Sequence, residues 1–200
     1  MSTSTKHAFS NASWLEPAKH LATSQAPAKD AGIAYYAEVP STSEHYKMRF
    51  EAGLTPPPTA EIAEIGLKSS VYCVVARDTS TASKEAIGMA RVVGDITMSL
   101  LIVDVCVLPT HQHRGIGHRI FRHLLAWVDA NSPCAFLSLS ADPPGMKLYE
   151  KNGFNVTPNE TGMQRLGQDI ENRRRFAREQ RANANANAKS SAEQQSSSTA

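Results

Sequence analysis

Apolar residues follow two different periods within residues 102–130, the clearest pattern in the chain. Three valines, Val103, Val105 and Val107, occupy every second position of a β-branched run, as in a strand. Pro109 ends the run, because proline has no N–H to donate to a sheet. The next apolar residues follow one face of a helix: Ile116, Ile120, Phe121, Leu124, Leu125 and Val128. This stretch therefore predicts a buried strand, a loop and an amphipathic helix that packs on a sheet.

The same patterns predict the remaining elements. Strands are predicted over 33–39, 70–77, 86–93, 98–107 and 135–140, with a final pair within 155–166. The three central strands form an antiparallel meander, and the helix that follows them carries the chain to a parallel neighbour. The fold class is therefore α/β (α+β), with a mixed, mostly antiparallel sheet of six to seven strands flanked by about four helices.

Cap signals mark the ends of the shorter helices. Ser41 and Glu44 have the spacing of a capping box, which predicts a helix through Phe50. A second short helix is predicted over 59–68. Asp142 precedes a proline and is predicted to cap a fourth helix, which a later Asn-Gly pair ends.

Composition divides the chain into three parts. Residues 1–32 lack the apolar segment of a secretory signal and are predicted to be a flexible leader. Residues 33–167 form the predicted domain. Residues 168–200 are predicted to begin as a solvated basic helix and to continue as a disordered low-complexity tail.

Charge and composition exclude several classes of partner. The hydrophobic content is 41% without a long apolar run, which predicts a soluble protein with no membrane partner. The net charge is +2 and comes from the tail, so the predicted domain lacks the basic face that a nucleic-acid binder needs. Two of the three cysteines lie in strand-like runs, which favours buried thiols in a reducing compartment. We expect a cytoplasmic protein, with access to the nucleus open through its basic tail.

The loop between the strand and the long helix predicts an anion site. Gly115 and Gly117 let the backbone approach a ligand closely, and the helix that follows carries partial positive charge at its N-terminus. A P-loop is excluded, because His118 rather than lysine follows the second glycine. A dinucleotide fingerprint is excluded, because Ile120 stands where that motif has its third glycine.

Two motifs in this region resemble the hallmarks of the GNAT acetyltransferase superfamily. Gln112-x-x-Gly115-x-Gly117 resembles its acetyl-coenzyme A loop, and Leu148-Tyr149-x-x-x-Gly153-Phe154 resembles its second hallmark, a short helix. The resemblance covers roughly residues 35–166. It implies that backbone groups of the valine strand bind the pantetheine arm and that the loop binds the pyrophosphate. The implied cofactor residues are Val105, Cys106, Val107, Gln112, His113, Arg114, Gly115, Ile116, Gly117 and His118.

The resemblance also implies an acceptor pocket between the first two predicted strands. Its candidate walls are Tyr46, Arg49, Phe50 and Leu54, although Tyr46 and Phe50 also have the spacing of core residues on a helix. No metal site is predicted. The resemblance is compatible with a homodimer.

Two residues are candidates for proton transfer. The family likeness places the Tyr149 hydroxyl near the coenzyme A sulfur as general acid; alternatively its ring packs on the sheet with the hydroxyl on water. Asp104 lies in an apolar strand, where a charge is costly unless it is paired or useful. It either deprotonates or binds the incoming amine, or pairs with a basic group such as Arg91.

The expected function is N-acetylation of a small-molecule primary amine from acetyl-coenzyme A, by direct attack in a ternary complex. Two alternatives stay open. The acceptor could be a protein or peptide amine, docked through the basic tail, or the domain could bind acyl-coenzyme A without catalysis. A covalent route through Cys106 is not expected, since the sequence supplies no adjacent base.

Overall fold

One six-stranded sheet organises the protein. The computed structural model describes residues 19–21, 32–158, 162–165, 167 and 169–197. The strands are β1 (Lys19–Leu21), β2 (Ile33–Ala37), β3 (Tyr72–Asp78), β4 (Ala86–Gly94), β5 (Ser99–Val107) and β6 (Phe136–Leu139). They lie side by side in chain order. All neighbours are antiparallel except β5 and β6, which are parallel, as the crossover predicts.

The strand predictions are confirmed for β2 to β6, but both ends of the sheet differ from expectation. Lys19–Leu21 lies within the predicted leader and pairs with β2 as an edge strand. The predicted final pair is wrong for 155–158 and 162–165, which have no strand conformation; the rest of 155–166 lies outside the described residues. The mixed, mostly antiparallel sheet is therefore confirmed, with β1 in place of the final pair.

The described residues also form five α-helices. They are α1 (Thr42–Glu51), α2 (Ala60–Lys68), α3 (Ile116–Asn131), α4 (Met146–Glu150) and α5 (Ile170–Ser197). The predicted capping box is present, because Oγ of Ser41 accepts from the Glu44 amide and the Glu44 carboxylate accepts from the Ser41 amide. α3 packs on β3, β4 and β5, and of its predicted apolar face only Leu125 is less than fully buried. None of the described helices is both long and apolar enough to cross a membrane.

Two helical predictions need correction. Asp142 occupies the N-cap of a single 3-10 turn before α4, but its side chain makes no capping hydrogen bond. The predicted basic helix lies within α5, which continues as helix to Ser197 through part of the segment expected to be disordered. One turn of α5 is not solvated, since Ala177 is buried and Arg173 donates to the Pro56 carbonyl oxygen at 3.0 Å. The helix is therefore docked on the loop between α1 and α2.

Candidate active site

A groove opens where β5 and β6 separate. The two strands pair only from Ser99 to Ile102 on β5, so beyond Ile102 no strand of the described residues pairs with the edge of β5 opposite β4. The separation coincides with a β-bulge, because two residues of β5 stand opposite Ala90 alone, between the pairs Arg91 with Val103 and Met89 with Cys106. A bulge bends its strand and strengthens the local twist, so the end of β5 diverges from β6.

Asp104 is the bulged residue, and its backbone is in the left-handed region with φ 58°. Residues other than glycine seldom adopt this conformation, although Asp and Asn do so more readily than most. The bulge therefore sets the direction of the Asp104 side chain as well as the course of the strand.

The predicted anion loop forms the head of this groove. A 3-10 turn follows β5, and the side-chain amide of Gln112 donates to the Val107 carbonyl oxygen at 2.9 Å, which ties the loop back to the strand. His113 (φ 61°) and Gly115 (φ 82°) both have left-handed backbone conformations, and α3 begins directly afterwards. The first amides of α3 have no partner within the helix, so they are available to an anion.

The groove has a volume of about 660 Å³ and gathers most of the predicted cofactor residues. Those that line it are Val105, Cys106, Val107, Gln112, His113, Gly115, Ile116, Gly117 and His118. Arg114 is the exception, and its guanidinium acts instead on buried Tyr35, whose pKa burial raises to about 12 and Arg114 partly lowers.

Tyr149 lines the same groove from α4. Its side chain is buried, and its ring centroid lies 5.3 Å from that of Phe121 on α3. Burial raises the pKa of the Tyr149 phenol, and the nearby Asp142 carboxylate adds to this shift. The phenol therefore carries its proton at neutral pH and is a potential donor. The Tyr149 ring packs on Phe121, and the residue also lines the groove, so both interpretations of Tyr149 remain compatible with the structure. Its role as general acid stays a prediction.

Asp104 is bound by three basic side chains. Its Oδ2 lies 2.6 Å from Nε of Arg91 and 2.9 Å from Nε2 of His45, and its Oδ1 accepts from Nη1 of Arg49. Asp104 is 92% buried, which would raise its pKa, but these partners lower the pKa well below its usual range. A carboxylate with both oxygens occupied and so low a proton affinity is a poor general base. The predicted catalytic role of Asp104 therefore needs correction, whereas the alternative pairing with Arg91 is confirmed.

The surroundings of Cys106 do not activate its thiol as a nucleophile. Its side chain is buried, and burial raises the pKa of the thiol to about 12, with the Asp104 charge acting in the same direction. A thiol in this state is a weak nucleophile, since the thiolate is the reactive form. Cys73 is also buried, as its strand pattern predicts, whereas Cys134 is exposed.

The predicted acceptor walls are only partly brought together. Arg49 and Leu54 line the groove. Tyr46 and Phe50 do not line the groove: Tyr46 is 45% exposed and stacks on Phe50, whose ring lies beneath the guanidinium of Arg181 on α5. A role of these two residues as acceptor walls stays a prediction.

Sequence reasoning missed His45. It lies one helical turn before Arg49 on α1, and both side chains reach the same carboxylate. Residues at i and i+4 share a helix face, so His45 and Arg49 are expected to point the same way. Two such side chains, together with an acid in the predicted strand, are a pattern that sequence reasoning could have used. The groove also includes Lys151 and Ser140, for which the sequence offers no comparable signal.

Comparison with known proteins identifies the fold and the family. A family model described as an acetyltransferase (GNAT) domain matches residues 68–156. A Staphylococcus aureus protein named a probable acetyltransferase of unknown function is 31% identical, with a TM-score of 0.61 over 68% of this chain and 98% of its own. None of the curated proteins matches significantly.

Two more distant structures share the fold. A GNAT family acetyltransferase from Streptococcus pneumoniae is 22% identical, with a TM-score of 0.54 over 68% of this chain and 98% of its own. A predicted acetyltransferase with acetyl-CoA from Clostridium acetobutylicum is 15% identical, with a TM-score of 0.51 over 66% and 96%. The match to the staphylococcal protein over nearly its whole length, together with the domain match, shows that this chain belongs to the GNAT acetyltransferase family.

Proposed function

We propose that this protein transfers an acetyl group from acetyl-coenzyme A to the primary amine of a small molecule by direct attack in a ternary complex. The observation that carries the proposal is the groove that runs from the anion loop along the free edge of β5 to Tyr149. Family membership supports an acyltransferase.

The residues of the groove fit acetyl-coenzyme A. The free backbone edge of β5 from Val103 to Val107 can pair with an extended chain as a further strand would. The amides that begin α3, with His118 beside them, can hold the pyrophosphate. When bound, acetyl-coenzyme A supplies an activated acyl thioester.

We expect Gly117→Leu to reduce coenzyme A affinity at least tenfold without unfolding the domain. A Cβ at position 117 would lie 3.6 Å from Cγ2 of Val107, an ordinary contact that the fold tolerates. Because Gly117 lines the groove, the rest of the leucine side chain would occupy space that the ligand needs. Gly115 is a less informative site, because its φ of 82° strains any other residue.

Calorimetric titration with coenzyme A tests this expectation. Ala126→Leu is the matched control, because Ala126 is an exposed residue of the same helix, where leucine stays in water. Native affinity in a folded Gly117→Leu protein would remove the loop from the binding site.

Within the groove, we assign Tyr149 as the group that gives a proton to the departing thiolate, because burial keeps its phenol protonated. Direct attack is favoured over a covalent route, since the Cys106 thiol is held protonated. Asp104 acts as a positioning residue, because its carboxylate holds Arg49 at the edge of the groove.

A small acceptor is favoured over a polypeptide. Arg181, which could have docked a polypeptide, instead donates to the backbone carbonyl oxygens of Phe50 and Leu54. These contacts place α5 across the loop that follows α1 and turn this guanidinium away from an acidic partner.

Coenzyme A release in the presence of amines and peptides tests the function. We expect turnover with small primary amines and little with peptides that carry a free N-terminus or lysine. Turnover restricted to peptides would favour the polypeptide alternative, and coenzyme A binding without turnover would favour a non-catalytic domain.

A further inference from the structure

A second cavity lies beside the groove and is distinct in character. It encloses about 240 Å³ between α1, α2, β4 and α5. Apolar walls come from the proline loop and α2, including Pro56, Ile62 and Leu67. Arg49 lines both this cavity and the groove, so the two spaces share a boundary at its side chain.

The charged walls of this cavity are all basic. Arg49 comes from α1, Arg91 from β4 and Arg173 from α5, and no acidic residue lines the cavity within the described part of the chain. The two carboxylates nearby are Asp104, which contacts Arg49 and Arg91, and Asp169, which lies 3.2 Å from Arg173 Nε. Asp169 is 68% exposed, so water weakens its pairing with Arg173. The cavity therefore has three guanidinium groups and a single buried carboxylate near them, which pairs with Arg49 and Arg91 but not with Arg173.

Each arginine is positioned by other parts of the fold and retains free donors. Arg49 Nε donates to the Thr55 carbonyl oxygen, Arg91 Nη1 to that of Gly66, and Arg173 Nη1 to that of Pro56. None of the three uses its Nη2 group in a hydrogen bond within the part of the chain that the structure describes. Rigidly held guanidinium donors are well suited to bind carboxylate or phosphate.

His45 adds a second unused polar group. It is 95% buried and lines the cavity, and its Nε2 is bound to Asp104. Its Nδ1 has no hydrogen-bond partner among the described residues. Because an ionised carboxylate only accepts, Nε2 carries an N–H, and in the tautomer with a single N–H the Nδ1 atom offers an acceptor lone pair. A ligand with an N–H group and an anion would satisfy both the histidine and the arginines.

We propose that the acceptor is an amine that also carries a carboxylate or phosphate, and that Arg49, Arg91 and Arg173 bind this anion. The proposal rests on the proposed function, because it assigns the acceptor class of the same site. Arg49 at the boundary places the cavity next to the groove in which the thioester would lie. The small volume suits an amino acid or an aminoalkyl phosphate.

Paired acceptors that differ only in their anion provide the first test. Initial rates of coenzyme A release are compared for 4-aminobutyrate against 4-aminobutanamide, and for phosphoethanolamine against ethanolamine, at equal concentrations of neutral amine. We expect kcat/KM to be at least about tenfold higher for the anionic member of a pair, as a charge-assisted hydrogen bond implies. Preference within the first pair indicates a carboxylate acceptor, and preference within the second indicates a phosphate.

Arg173→Gln provides the second test, because Arg173 makes no contact with Asp104. We expect kcat/KM for the anionic acceptor to fall about tenfold or more and that for its neutral partner to change little, while Arg173→Lys recovers part of the loss. Arg175→Gln is the matched control, since Arg175 lies on the same helix with its side chain 72% exposed. Equal losses for anionic and neutral acceptors would show a merely structural role and overturn the proposal.

If no acceptor is turned over, the proposed function is refuted, but the anion site can still be tested by measuring binding. The protein is saturated with coenzyme A, so that its pyrophosphate site is filled, and titrated with inorganic phosphate and with 4-aminobutyrate. Binding of either that is weakened by Arg173→Gln and kept by Arg175→Gln supports the anion site. The anion site is overturned if neither phosphate nor 4-aminobutyrate binds. It is also overturned if the neutral acceptor is preferred in both pairs.

Discussion

Replacing Tyr149 with Phe is expected to lower kcat about a hundredfold, the usual cost of losing a general acid. The substitution keeps the ring that packs on Phe121 and removes only the hydroxyl. The leaving thiolate then has no protein donor at this position in the groove. Coenzyme A release at saturating substrate measures the effect.

Stability and affinity separate this outcome from a packing effect. The melting temperature and the coenzyme A affinity of Tyr149→Phe should match those of the native protein, because Phe preserves the ring contacts. A native kcat across the working pH range would show that water or another group protonates the thiolate, and Tyr149 would then be a packing residue.

Replacing Asp104 with Asn is expected to lower the free energy of unfolding by about 3–5 kcal/mol, the cost of breaking a buried ion pair from one side. The two guanidinium groups of Arg49 and Arg91 keep their charge but lose the carboxylate between them. Urea unfolding at pH 7 measures the loss. Asp129→Asn is the control, because Asp129 is an exposed acid on α3. An effect of Asp104→Asn as small as that of the control would show that the cluster contributes little to stability.

The pH dependence of this difference follows from the lowered pKa of Asp104. Its partners hold the folded-state pKa below the unfolded value of about 3.9, so the stabilisation is fully present above that value. It is lost as the pH falls through the folded-state pKa. The stability difference between the native protein and Asp104→Asn should therefore shrink as the pH falls below about 4.

Local signals explain why much of the fold could be predicted. The capping box of Ser41 and Glu44 involves residues three apart, and the apolar face of α3 repeats within one helix. The glycine loop is also local, because the φ of 82° at Gly115 is a requirement that glycine meets without strain. Such features depend only on short stretches of sequence, and the structure confirms each of them.

Features that depend on distant parts of the chain could not be predicted in the same way. The Arg173 contact with Pro56 spans 117 positions, and Lys19–Leu21 is a strand only because β2 lies beside it. Asp104 left two interpretations open because its neighbours in sequence do not reveal that His45 and Arg49 approach it from α1. The third arginine of the second cavity, Arg173, likewise joins the other two only when α5 docks.

The bulge at Asp104 also determines how a ligand reaches this protein. The extra residue is fixed in the register of β4 and β5, so the gap beside β5 belongs to the resting shape of the sheet. A ligand can enter along that edge without displacing a strand. Little conformational entropy of the protein is then lost on binding. We therefore expect association to be limited by diffusion and by the orientation of the arriving ligand rather than by a preceding change of conformation.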